Sequence, residues 1–178
     1  MKKQIQLFLL SATFLPLAQA HIVLSEPKPT AGSYYKATLR VGHGCNGSAT
    51  TGLAVQVPAG FQGAKPQPKT GWAITTRKVK LATPYNSHGK TVTDDVVELR
   101  WTAASKEAAL SDDQFDEFAF VGRLPDQAGL LWVKVLQTCE NGQNDWSDIP
   151  TQGTSTRGLK SPAALLDVQA APKHEHHH

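Results

Sequence analysis

The sequence predicts an all-β fold, built as a two-sheet β-sandwich. Apolar and polar residues alternate with period two in stretch after stretch, which is the pattern of half-buried strands. Glycine and proline, 14 and 11 in number, punctuate the spaces between these stretches. Helical periodicity is confined to one short segment, and about eight strands with frequent turns form a sandwich more readily than any helical architecture.

Taken in chain order, Ile22 to Leu24 reads as a short strand near the start. Tyr35, Ala37, Leu39 and Val41 share one parity, and Lys36, Thr38 and Arg40 the other, which gives a strand with one buried face. Leu53, Val55 and Val57 repeat the pattern up to Pro58. Trp72 to Leu81 begins as an alternation that slips near Thr76, the mark of a bulge. Val97, Leu99 and Trp101 alternate with Glu98 and Arg100. Ala103 to Leu110 offers a helical turn or two. Phe115 to Val121 is a richer strand, with Phe118 and Phe120 on one side. Leu131, Val133 and Val135 alternate with Trp132 and Lys134, and Ala164 to Val168 supplies a last strand. Trp72, Trp101 and Trp132 are expected to pack the core from these strands. Trp146 falls outside them, in a polar context where packing alone is a poorer explanation.

The two ends of the chain differ from its middle. Lys2 and Lys3, an apolar run from Ile5 to Leu17 and Ala18-Gln19-Ala20 have the anatomy of a secretory signal peptide over residues 1–20. Cleavage after Ala20 makes His21 the first residue. Residues 21–170 then form one domain, and residues 171–178 a disordered tail containing His174, His176, His177 and His178. Without Lys2 and Lys3 the net charge falls to about +1, which argues against an electrostatic nucleic-acid binder. Beyond the leader no apolar run is long enough to span a bilayer, so the expected product is periplasmic or secreted.

Export bears on the two cysteines. In an oxidising compartment Cys45 and Cys139 are expected to pair, restricting the unfolded chain by about 4 kcal/mol in the loop-entropy model. The alternative makes their thiolates metal ligands. Parity places Cys139 on the inward side of its strand. It does the same for His43, provided the strand ending at Val41 continues through Gly42. Glycines at 42 and 44 are the usual signs of a bulge or turn there.

An N-terminal histidine carries two nitrogen donors, the α-amine and the imidazole, which together chelate a metal and suit the tetragonal preference of Cu(II). A further equatorial donor is needed, and His43 is the best internal candidate, since His88 sits in a turn-like Asn86-Ser87-His88-Gly89-Lys90. The histidines of the tail would collect metal loosely, as an auxiliary site.

The start His21-Ile22-Val23-Leu24-Ser25-Glu26-Pro27, the segment Ala31 to Tyr35 and the strand ending Leu39-Arg40-Val41 resemble the YcnI-like family of secreted copper-binding domains. Leu53 to Gly60, Lys65-Pro66, Gly71-Trp72, Asp145 to Pro150 and Ser161-Pro162-Ala163 extend the likeness over nearly all of the mature chain. The resemblance implies an immunoglobulin-like or cupredoxin-like sandwich. It also implies Cu(II) held by the amine and ring of His21, with Trp146 as the tryptophan lying against the site. Such proteins complete the site with a glutamate just past the strand that corresponds to Leu39-Arg40-Val41. In this sequence that place reads Gly42-His43-Gly44-Cys45, so either His43 replaces the carboxylate or the donor comes from elsewhere, Glu26 being a conceivable substitute.

The expected function is therefore that of an exported protein, not an enzyme, that carries, buffers or delivers copper. The resemblance implies an envelope copper transporter or oxidase assembly factor as partner. Three rivals stand beside it. A copper-dependent polysaccharide monooxygenase also begins with histidine, a CopC-like carrier would serve nearly the same role, and a metal-free structural sandwich would bind no copper.

Overall fold

A computed structural model describes residues 21–172. The signal peptide expected over residues 1–20 and the histidines of the tail lie outside the described residues. Ten strands fall within them: β1 (Val23–Leu24), β2 (Tyr34–Val41), β3 (Thr50–Gln56), β4 (Gln62–Pro66), β5 (Trp72–Ser87), β6 (Lys90–Ala103), β7 (Asp116–Arg123), β8 (Gly129–Cys139), β9 (Gln143–Trp146) and β10 (Ala164–Val168). They form two sheets. One has the order β1-β2-β7-β4, the other β10-β8-β3-β6-β5 with β9 added along β8, and every strand pair is antiparallel.

The alternation read in the sequence is the alternation of burial. Tyr35, Ala37, Leu39 and Val41 turn inward from β2, and Phe118 and Phe120 do so from β7. Leu53, Val55, Leu99, Trp101, Val133 and Val135 face them from the other sheet. The edges of Trp72 and Trp101 meet Phe118 with ring centroids 4.9 and 5.8 Å apart. Each large side chain sealed in this way contributes about 1.5–3 kcal/mol of apolar burial.

Several elements depart from expectation. β5 and β6 extend beyond the alternating segments into a long hairpin arm, with register shifts at Arg77/Lys78 and again between Lys80 and Tyr85. The first shift is the bulge expected near Thr76. β7 begins at Asp116, which leaves Phe115 exposed. The helical segment contracts to one 3₁₀ turn, Lys106–Ala108. Trp132 is only half-buried, because it shares the parity of Lys134, away from Val133 and Val135. Among the described residues no helix is long and apolar enough to cross a membrane.

Candidate metal centre

His21 and His43 meet because β1 and β2 are antiparallel. Their register pairs Val23 with Arg40 and Leu24 with Leu39. Continued back along the chain, it sets His21 opposite Gly42, one residue from His43. Ile22 and Leu24 anchor the segment by burying their side chains, while His21 stays half-exposed. Its other side faces an open cleft of about 900 Å³ lined by Thr154 to Lys160.

β2 ends at Val41, so His43 stands in a loop and not on a continued strand. The glycines give the reason. A β-carbon on Gly44 would collide with the Ser48 carbonyl, so only glycine lets the chain fold back this tightly. Cys45 and Ser48 exchange backbone hydrogen bonds of 3.1 Å across the Asn46-Gly47 turn. The Gly44 N–H donates to Asp112 Oδ1 at 2.9 Å. Cys45 is bonded to Cys139, which closes the loop onto the end of β8 and removes both sulfurs as thiolate ligands.

Trp146 reaches the site from the opposite sheet. It lies within a strand, contrary to expectation, because the chain turns at Gly142 and β9 runs back along β8. Its side chain is 4% exposed and belongs to the core, so packing does account for much of its environment. It also has a second role. The rings of His21 and His43 both stand edge-on to its indole, with centroids 5.9 and 6.1 Å away.

The hydrogen bonds determine which nitrogens a metal could use. His43 Nδ1 lies 2.6 Å from the Gly44 carbonyl oxygen, which only accepts, so Nδ1 carries the proton and the Nε2 lone pair is left over. Neither Nε2 of His43 nor any nitrogen of the His21 ring has a hydrogen-bond partner among the described residues. Backbone orientation of one imidazole nitrogen is the usual support of a metal-binding histidine. No three His, Cys, Asp or Glu side chains converge among the described residues, so from these side chains a metal here would find the two imidazoles alone. Glu26 is exposed, and its carbonyl, not its carboxylate, is engaged, accepting from Tyr35 Oη at 2.6 Å.

Sequence reasoning missed Gln137. It is fully buried and bonds both Trp146 and the His43 main chain. The signal was present: Gln137 is the polar member of the inward row Val133, Val135, Gln137, Cys139.

A family model described as a domain of unknown function, DUF1775, matches residues 21–168. The chain belongs to this YcnI-like family. The YcnI-like match begins at His21 itself. The copper-binding protein CutI of Bacillus subtilis (strain 168) is 28% identical over 165 residues, which cover 91% of this chain and 73% of that protein. A solved structure, that of an uncharacterized protein from Nocardia farcinica with an immunoglobulin-like fold, matches with a TM-score of 0.64 at 23% identity. It covers 83% of this chain and 97% of the other. The immunoglobulin-like sandwich expected of a YcnI-like chain is the fold observed.

Proposed function

We propose that this chain is an exported copper-binding protein that carries, buffers or delivers Cu(II) by coordination, without turnover. The observation that carries the reading is the convergence of His21 and His43 on one indole, with the His43 tautomer set by a backbone carbonyl. The likeness to CutI, a copper-binding protein by name, supports the choice of metal. The start of the family match at His21 supports cleavage after Ala20.

In the processed protein His21 would contribute its α-amine and one ring nitrogen. His43 would contribute Nε2, and water or a carboxylate would take the remaining equatorial place. The ligands must be deprotonated, so copper competes with protons and binding weakens in acid. Trp146 closes one side of the site with apolar surface, which limits water and favours holding the ion over cycling it. The protein would act in the periplasm or outside the cell, with an envelope copper transporter or an oxidase assembly factor as its exchange partner. The tail histidines would serve as a loose auxiliary site.

The test compares a protein processed to begin at His21 with one that keeps an extra residue before it, residues 171–178 being deleted from both. The processed form should bind one Cu(II) with a nitrogen-rich electron paramagnetic resonance spectrum. The extended form, whose amine is now an amide, should bind at least about 100-fold more weakly. Equal affinity in the two forms would remove the amine from the site.

A further inference from the structure

We infer that Gln137 is the positioning residue of this site, a single carboxamide that fixes Trp146 and the His43 loop relative to each other; the metal part of the inference rests on the copper reading above. Gln137 occupies the inward face of β8 with no exposed surface. Its Nε2 donates to the His43 carbonyl at 2.7 Å and to Thr50 Oγ1 at 2.8 Å. Its Oε1 accepts from the Trp146 indole N–H at 2.9 Å and more weakly from Asn144 Nδ2 at 3.5 Å.

The orientation of this carboxamide is settled by chemistry. An indole N–H only donates and a main-chain carbonyl only accepts, so Oε1 must face Trp146 and Nε2 must face His43. Both N–H groups and both lone pairs of Gln137 are used, so the group is fully satisfied in the core. A sandwich strand has no packing need for a carboxamide at this place, where its neighbours in the row are Val133, Val135 and Cys139. What the carboxamide adds is a directional link between two elements that share no strand pairing. One is the loop after β2 that carries His43. The other is β9, which carries the indole that both imidazoles touch.

The same strand holds that loop a second time, through the Cys139–Cys45 bond. Cys45 Sγ lies 3.9 Å from the Gln137 carbonyl oxygen, so the covalent and the hydrogen-bonded fastenings are adjacent. The disulfide limits how far the loop can travel. Gln137 decides where its histidine stands against the indole.

The test uses the processed domain and two readouts, one of which needs no copper. In the metal-free wild type, the Trp146 Nε1 proton and the Gln137 carboxamide protons should exchange slowly with solvent in nuclear magnetic resonance spectra. Fast exchange of these protons would overturn the inference without any substitution. In Gln137→Met, which keeps length and loses all four hydrogen bonds, the Trp146 proton should exchange at least about tenfold faster and the His43 ring resonances should shift. Cu(II) affinity should fall about 10–100-fold, with altered nitrogen hyperfine structure, the usual consequence of removing a group that orients a metal ligand. Thr50→Val removes one partner of the same amide but leaves the bonds to His43 and Trp146, so it should move neither readout. Unchanged indole and imidazole resonances in Gln137→Met, or equal changes in Thr50→Val, would refute the positioning role. A wild type that binds no copper would sink the copper reading alone, since the metal-free resonances still decide whether Gln137 fixes the two elements.

Discussion

Each end of β2 carries histidine beside an aromatic ring, and the two ends treat it oppositely. At the Val41 end, two imidazoles rest on Trp146, whose N–H is already committed to Gln137. At the Tyr34 end, about 23 Å away along the strand, His88 lies near-parallel to Tyr34, at 21°, with its Nε2 2.9 Å from the phenol oxygen. Trp146 is 4% exposed, whereas Tyr34 is 66% exposed. At the Tyr34 end the protein consumes the Nε2 that at His43 it leaves over. A histidine therefore becomes a candidate ligand through what its neighbours do not ask of it. Proximity to an aromatic ring is common to both ends and distinguishes neither.

Rigidity is the second contrast. The His43 loop is tied by a disulfide, while the His88 tip is held by side-chain hydrogen bonds. The largest expected effect comes from removing the tie. Replacing both partners, Cys45→Ala with Cys139→Ala, should lower unfolding free energy by about 4 kcal/mol, from a cross-link spanning 94 residues. Denaturant titration measures it. The same variant should weaken Cu(II) binding, because the loop presenting Nε2 of His43 is released. If stability falls and the copper spectrum is untouched, the disulfide serves the fold only and this part of the contrast fails.

A smaller effect is expected on the arm. Asp95 is buried where β6 passes Gly63, and it accepts from Tyr85 Oη at 2.7 Å, Gly63 N at 2.9 Å and Val96 N at 2.7 Å. Burial, and then the hydrogen bond and charge of Asp95, push the Tyr85 phenol up to about 12. The folded state therefore favours the protonated phenol. That contribution is fully present below pH 10, the ordinary phenol value, and is lost as pH rises toward about 12. Tyr85→Phe should cost about 1 kcal/mol at pH 8, the partly exposed hydroxyl being discounted from a charge-assisted bond. The gap between wild type and variant should narrow by pH 11 in urea unfolding. Copper binding should not change in either, and a copper effect of Tyr85→Phe would mean that the two ends communicate.

The sheets were legible where one face is buried and the other is wet, as in β2, β3 and β8, because period-two alternation records that asymmetry directly. The distal arm was not, since β5 beyond Thr75 is largely exposed on both faces and leaves no pattern to read. β4 was hidden by its glycine and proline, and β9 by its length of four residues and its polarity. At the site, the Cys45–Cys139 bond could be read from the expected compartment, while His21 was singled out only by its place after Ala18-Gln19-Ala20. The placement of His43 could not, because it depends on a loop that turns back at Gly44 after the strand has ended. Trp146 looked loop-like for the same reason that β9 was invisible. Its partner Gln137 was readable as a polar break in an inward row, a signal that parity offers and composition conceals.

The smallest effect expected is at His88, and it bears most directly on the contrast between the ends. His88 adopts a left-handed backbone, φ 49°, at the tip of the β5–β6 turn, followed by Gly89 at φ 75°. Asparagine tolerates that conformation better than most residues, so His88→Asn removes the imidazole without adding backbone strain. Only an exposed hydrogen bond to Tyr34 is lost, and stability should change by less than about 0.5 kcal/mol. The first equivalent of Cu(II) should bind the tail-deleted, processed variant with wild-type affinity and an unchanged nitrogen pattern. His43→Ala, by contrast, should lose one imidazole from that pattern. If His88→Asn removed a nitrogen from the first-equivalent spectrum and His43→Ala did not, the two ends of β2 would have to exchange roles, with the ligand at the exposed tip and the spectator against the buried indole.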